Sequence, residues 1–313
     1  MKTSIPSPDN VLVCKVRPKR AQTCDLPFEL HANRLAIRSG KMPYDFRTWA
    51  RATANHVWRI GERPLIPCWS QPALRIGQFT LYAHGILLAL GSVVGSVIFV
   101  NRAQTFCLRK RTAVIIILLL APIGLLASHL TYSLLEDPSS LLELQGISSL
   151  GGILAGLLAL ALFTFRHPEP RWRWFDAAAY AGLWGALIAR LGCFLAHDRI
   201  GLPTSSRFSV ACFGGSYYDL ALFEMVFLVA FLTFLIWLEL RHARLVPGVA
   251  FSALAVSYGT VRLILGQLSE PPQRYLGLAP EQWGGAILLV VGAFCWFRIK
   301  QFVKGESVLT RSS

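Results

Sequence analysis

Ala189-Arg190-Leu191-Gly192-Cys193-Phe194-Leu195-Ala196-His197-Asp198-Arg199-Ile200-Gly201-Leu202-Pro203-Thr204 closes an apolar run and begins with an arginine carried by the run itself. A guanidinium inside a hydrophobic helix is costly and persists where it is paired. Two environments accommodate Arg190. Near the helix end it can snorkel to the membrane interface. Deeper, its planar fork suits a phosphate, and in a membrane that phosphate belongs to a lipid headgroup.

The rest of the chain repeats this apolar setting. It has 313 residues, 54% hydrophobic and only 15% charged, where a soluble domain carries roughly a quarter charged residues. The apolar excess falls into runs of about 20 residues, the length that crosses a bilayer. The expected fold is an all-α polytopic bundle of seven spans: 79–100, 113–135, 147–165, 174–196, 218–238, 249–268 and 282–297. Pro122 interrupts the second. Gly85, Gly91 and Gly95 in the first span, and Gly151, Gly152 and Gly156 in the third, give small faces for close packing. Residues 197–216, rich in Gly, Ser and Pro, read as a loop. The domain reading is a basic, poorly ordered tail over 1–71, a membrane domain over 72–304 and a short tail over 305–313. HANRLAIRSG in the first tail is an amphipathic candidate, and Met42 is a candidate later start.

The net charge is +14, from 31 Lys and Arg against 17 Asp and Glu. The basic residues cluster after spans one, three, five and seven: Arg102 and Arg109–Arg111, then Arg166, Arg171 and Arg173, then Arg241 and Arg244, then Arg298, Lys300 and Lys304. That pattern sets orientation, with those ends and the C-terminus cytoplasmic. It also accounts for the charge without nucleic acid. The seven cysteines contain no C-x-x-C pair, so no disulfide framework or zinc site is legible.

With that orientation, Arg190 in span four and Arg262 in span six both fall in the outer half of the bilayer. Glu224 in span five, His129 in span two and His84 in span one join the same layer. Two arginines at one depth repel unless an anion lies between them; Glu224 and a lipid phosphate are the two candidates. His197 reads as a surface histidine of the loop. Cys193 reads as a buried structural thiol or as one activated by Arg190.

The order of these features resembles the bacterial prolipoprotein diacylglyceryl transferases over about residues 72–300. The family signature runs approximately G-R-I-G-N-F-x-N-G-E-x-x-G-x-P-T, against which the stretch quoted first keeps Arg190, Gly192, Phe194, Asp198 in the acidic place, Gly201 and Pro203-Thr204. Asp176 matches an upstream family aspartate, Gly151-Gly152 a Gly-Gly segment, Tyr258-Gly259-Thr260-Val261-Arg262 a Y-G-x-x-R motif, and Gln282 a glutamine opening the last span. Several family positions differ. Leu150 stands before the Gly-Gly where the family has His or Tyr. Cys193 and Ala196 replace the signature asparagines. His129 stands for an arginine, His84 for a tyrosine, Gly266 for an acid and Ser269 for a base.

The resemblance implies transfer of a diacylglyceryl group from phosphatidylglycerol to the lipobox cysteine of a prolipoprotein signal peptide, in the bacterial inner membrane, with no cofactor and no metal. It implies catalytic roles for Arg190 and Arg262 at the departing phosphate. With Leu150 untitratable, the thiol proton falls to His84, His129 or His197. Substrate contacts are expected from Arg190, Asp198, Gly192, Gly151, Gly152, Glu224, Tyr258 and Gln282. A phospholipid-binding accessory protein of the same fold is the alternative. A transporter is a third reading, weakened because the halves show no inverted repeat.

Overall fold

The computed structural model describes residues 66–69, 72–76, 79–135, 141, 146, 148–212, 215–241, 245–269 and 274–309. The tail over 1–65, with HANRLAIRSG and Met42, lies outside the described residues, as do 310–313. Seven apolar helices carry the fold: α1 Ala83–Thr105, α2 Lys110–Leu135, α3 Ser149–Phe165, α4 Arg171–Ala196, α5 Leu220–Arg241, α6 Val249–Leu265 and α7 Pro280–Leu309. Five are long and apolar enough to cross a membrane; α3 and α6 are shorter apolar helices of 17 residues. Their outward faces carry bare large apolar side chains such as Leu118, Leu125, Leu158, Val226 and Val290. Water would penalise such a belt, and lipid does not.

Pairs of helices are pressed together where side chains are missing. Along the α1–α4 seam a Cβ on Gly91 would lie 2.6 Å from the Gly185 carbonyl oxygen, and along α6–α7 a Cβ on Gly259 would lie 2.6 Å from that of Gly285. Backbones can approach so closely only through glycine. Gly151 and Gly152 play the same part against Thr131, Ala127 and Ser128 of α2, whereas Gly85 and Gly156 face open space. Pro122 does not interrupt α2, which runs unbroken through it.

One end of the bundle carries a sheet where the sequence reads as loop. Strands β1 Ile66–Pro67, β4 Ile200–Pro203, β5 Val210–Cys212 and β6 Gly215–Asp219 assemble in the order β1-β5-β6-β4, and a separate hairpin pairs β2 Ala73–Ile76 with β3 Phe79–Tyr82. The first and fifth apolar runs therefore begin as strands and become helical at Ala83 and Leu220. Residues 66–69, expected within the tail, are seated on this sheet. Ile66 pairs with Val210 in parallel, the Trp69 indole N–H donates to the Leu195 carbonyl at 3.1 Å, and Cys68 is disulfide-bonded to Cys212 across 144 residues of chain. Cross-linking so long a loop restricts the unfolded chain, so reduction is expected to remove roughly 2–5 kcal/mol. The check is the melting temperature in detergent with and without reductant. A Cys212→Ser variant should melt like the reduced wild type, and an unchanged melting temperature in both would contradict this.

The sheet also orders the turn after α4. His197 ends that helix in the left-handed region at φ 47°, a conformation usually left to glycine. Its ring compensates by meeting the Asp219 carboxylate at 3.0 Å, while the other Asp219 oxygen accepts from the Ala221 and Leu222 amides and so caps α5. His197 is thus a buried capping residue and not a surface histidine. At the opposite end of the bundle, Asp176 of α4 accepts from the Gly248 amide at 2.6 Å and the Phe251 amide at 2.9 Å. It satisfies the first amides of α6, which that helix cannot pair internally.

Candidate functional site

The sheet end of the bundle gathers buried charge. Glu224 of α5, 0% exposed, lies between two arginines. Its Oε2 is 2.5 Å from Arg190 Nε of α4, and its Oε1 accepts from Arg262 Nη1 of α6 at 2.7 Å. The two guanidinium groups share one depth because one carboxylate bridges them. Tyr258, one turn before Arg262, places its hydroxyl 3.4 Å from Glu224 Oε2 and its ring 5.7 Å from the Arg262 guanidinium carbon. Arg262 Nη2 donates to Ser149 Oγ at the start of α3 at 3.0 Å. Arg190 Nη1 reaches Cys193 Sγ at 3.6 Å, which makes that thiol a buried partner of the cluster.

Two members of the cluster escaped the sequence reading. Arg199, just past α4, forms an ion pair with Glu281 in the first turn of α7, and Arg262 Nη1 lies 3.6 Å from the same Glu281 oxygen. The main chain aims Arg199 inward: its carbonyl accepts from the Leu220 amide, and the nearby Leu202 amide donates to Leu268 beyond α6. Burial, with Arg262 and Arg190 close by, pushes the Arg199 guanidinium down to about 10, still cationic at neutral pH. Three guanidinium groups against Glu224 and Glu281 leave one positive charge in excess. A cluster of this kind attracts an anion and disfavours a metal cation.

A narrow cleft leads to this cluster. It is lined by Leu150, Ile153 and Leu154 of α3, Tyr258 and Arg262 of α6, and Glu281, Gly284 and Leu288 of α7. Its lining sets the apolar side chains of Leu150, Ile153, Leu154 and Leu288 beside the charges of Arg262 and Glu281. Gly284 leaves room for the Leu150 side chain, which a Cβ there would strike.

The remaining expected residues divide. Gln282 is buried behind the cluster, donating to the Leu263 carbonyl and accepting from the Ala279 amide, where it splices α7 to α6. Gly192 does not border open space for a headgroup; a Cβ there would sit 3.2 Å from the Cα and carbonyl oxygen of His84, so it seats α1 against α4. That contact brings His84 in. His84 Nδ1 is 3.5 Å from Asp198 Oδ2, and His84, Cys193 and Asp198 bring ligand-type atoms within 4.8 Å of one another. His84 therefore stands one thiol away from Arg190. His129 does not join the cluster. It is buried in α2 with its ring nitrogens 3.2 and 3.3 Å from the carbonyls of Gly146 and Leu141, where it holds the α2–α3 connection. Gly151 and Gly152 likewise serve packing beside the site. Cys68, His197 and Cys212 form a second grouping of metal-ligand types, but its two sulfurs are spent in the disulfide.

Comparison with known proteins adds an independent line. The family model described as prolipoprotein diacylglyceryl transferase matches residues 71–298. Among curated relatives, the phosphatidylglycerol–prolipoprotein diacylglyceryl transferase of Bacillus cereus strain B4264 is 25% identical over 151 residues, 46% of this chain and 56% of that protein. The proteins of the same name from Bacillus cereus strain Q1 and Bacillus anthracis strain CDC 684 / NRRL 3495 align at the same identity and coverage. The chain thus spans little more than half the length of the relatives it matches.

Proposed function

The chain belongs to the prolipoprotein diacylglyceryl transferase family, and from that membership we propose that it moves a diacylglyceryl group from phosphatidylglycerol to the cysteine thiol of a prolipoprotein signal peptide. One observation carries the reading: a net-positive cluster of two buried arginines, Arg190 and Arg262, and the half-buried Arg199, with Arg262 lining an apolar cleft. The lipid phosphate is seated against Arg262 and Arg199, with Arg190 held behind them through Glu224. The thiol gives its proton to His84, whose Nδ1 lies 3.5 Å from the Asp198 carboxylate. The sulfur then bonds to the glyceryl carbon, the carbon–oxygen bond to phosphate breaks, and its electron pair leaves with glycerol phosphate. The arginines stabilise the negative charge that gathers on that oxygen.

In the bacterial inner membrane the reading puts the sheet end outside and the C-terminus in the cytoplasm, which the basic residues following α1, α3, α5 and α7 support. A cysteine introduced at position 313 is expected to resist impermeant label in intact cells, and labelling from outside would reverse the orientation.

The direct test is complementation of a transferase-depleted bacterium. The wild-type chain should restore growth. His84→Ala should lower transfer about 10²–10⁴-fold, the usual worth of general acid–base help, while leaving phosphatidylglycerol binding intact. A His84→Ala variant with full activity would remove His84 from proton transfer. The second reading, a phospholipid-binding accessory protein, draws on Leu150, which puts an apolar side chain in the cleft, and on Glu224, which already neutralises part of the arginine charge. A wild-type chain that binds phosphatidylglycerol yet restores no growth would select it.

A further inference from the structure

Glu281 spends only one of its oxygens. Oε2 faces Arg199 and Arg262, whereas Oε1 is buried and has no hydrogen-bond partner among the described residues. A buried carboxylate oxygen without a donor is costly. Glu281 also lines the cleft beside Tyr258 and Arg262, with Ile153, Leu154 and Leu288 forming the apolar walls. A group entering the cleft phosphate-first would meet Arg262, which lines it, and the side chain of Glu281, whose buried Oε1 has a free acceptor.

We propose that Glu281 Oε1 is a subsite that reads a hydroxyl on the headgroup of the bound phospholipid. The inference rests on the lipid-transfer reading above and names what that site selects. In a glycerol headgroup the hydroxyls follow directly on the carbon esterified to phosphate. A phosphate resting on Arg199 and Arg262 therefore puts a hydroxyl beside the carboxylate that contacts both. The hydroxyl donates to Oε1 and supplies the missing partner. An ethanolamine headgroup also carries donors, but its ammonium would approach a cluster that already holds an excess positive charge.

Lipid affinity of the purified full-length chain in nanodiscs tests this, with phosphatidylglycerol, phosphatidylethanol and phosphatidylethanolamine of identical acyl chains as probes. Phosphatidylethanol has the same phosphate charge and no hydroxyl. The wild type is expected to prefer phosphatidylglycerol over phosphatidylethanol by about tenfold or more, the worth of a hydrogen bond to a charged group. Glu281→Ala should bring that ratio close to one while phosphatidylethanol binding persists. A purely structural role for Glu281 would weaken both lipids together and keep the ratio, and that result overturns the subsite. Equal wild-type affinity for the two anionic lipids also overturns it while leaving the transfer reading in place, whereas tighter binding of phosphatidylethanolamine than of either overturns both. A wild type that binds none of the three overturns both.

Discussion

Replacing Glu224 by glutamine is expected to lower the melting temperature of the purified protein steeply and to abolish the proposed lipid transfer. The carboxylate is fully buried and meets Arg190 at 2.5 Å and Arg262 at 2.7 Å. Neutralising it leaves two like charges side by side in a medium that screens them poorly. Removing one partner of a buried ion pair costs about 3–5 kcal/mol, and here a single carboxylate serves two partners on different helices. The effect should therefore be at least of that order, and α4, α5 and α6 should lose their common depth. Glu224→Asp, which keeps the charge on a shorter arm, should recover part of the stability and less of the activity. Thermal unfolding in detergent and transfer to a lipobox peptide, measured on the same preparations, check both halves. A glutamine variant that melts with the wild type would mean that the arginines find their counter-charge elsewhere.

The second large effect is expected at Arg262. Its guanidinium spreads over Glu224, Glu281 and Ser149 while also lining the cleft. Lysine keeps the charge but offers a single compact donor group. Arg262→Lys should hold the Glu224 pair and stay folded, yet lose the paired donors that the proposed mechanism sets against the departing phosphate. Transfer is expected to fall about 10²–10³-fold, as when one preorganised donor to a developing oxyanion is removed, with the loss mainly in kcat. A loss of only a few-fold, or one confined to KM, would make Arg262 a binding contact and not a stabiliser of the leaving group.

Much of this geometry was legible because a bilayer punishes charge. Arg190, Glu224 and Arg262 stand out in apolar runs, and counting along alternating spans puts them at one depth. Arg199 and Glu281 gave no such signal. They lie at a helix exit and a helix entrance, where charged residues are commonplace, and only the fold turns them inward. The sheet was missed because strands of two to five residues in a Gly-, Ser- and Pro-rich stretch carry too short an alternation to read. Cys68 and Cys212 are far apart in an odd set of cysteines, so nothing local pairs them. His129 shared the depth of the cluster but not its face: depth follows from counting residues, whereas facing depends on how α2 packs.

The Asp176 contact bears on how the molecule is made. Asp176 belongs to α4, but the amides it caps lie 72 and 75 residues later in the chain. Arg190 on the same helix waits for Glu224 on the next. During synthesis α4 therefore reaches the membrane holding an acid near its start and a base near its end with those partners still to come, each costing at most the roughly 2.5–3.5 kcal/mol of a lone charge at the bilayer centre. The arrival of α5 and α6 then favours settling of this helix in lipid, because they bring the groups that Asp176 and Arg190 pair with. A ribosome that stalls between α4 and α6 would leave Asp176 and Arg190 without those partners.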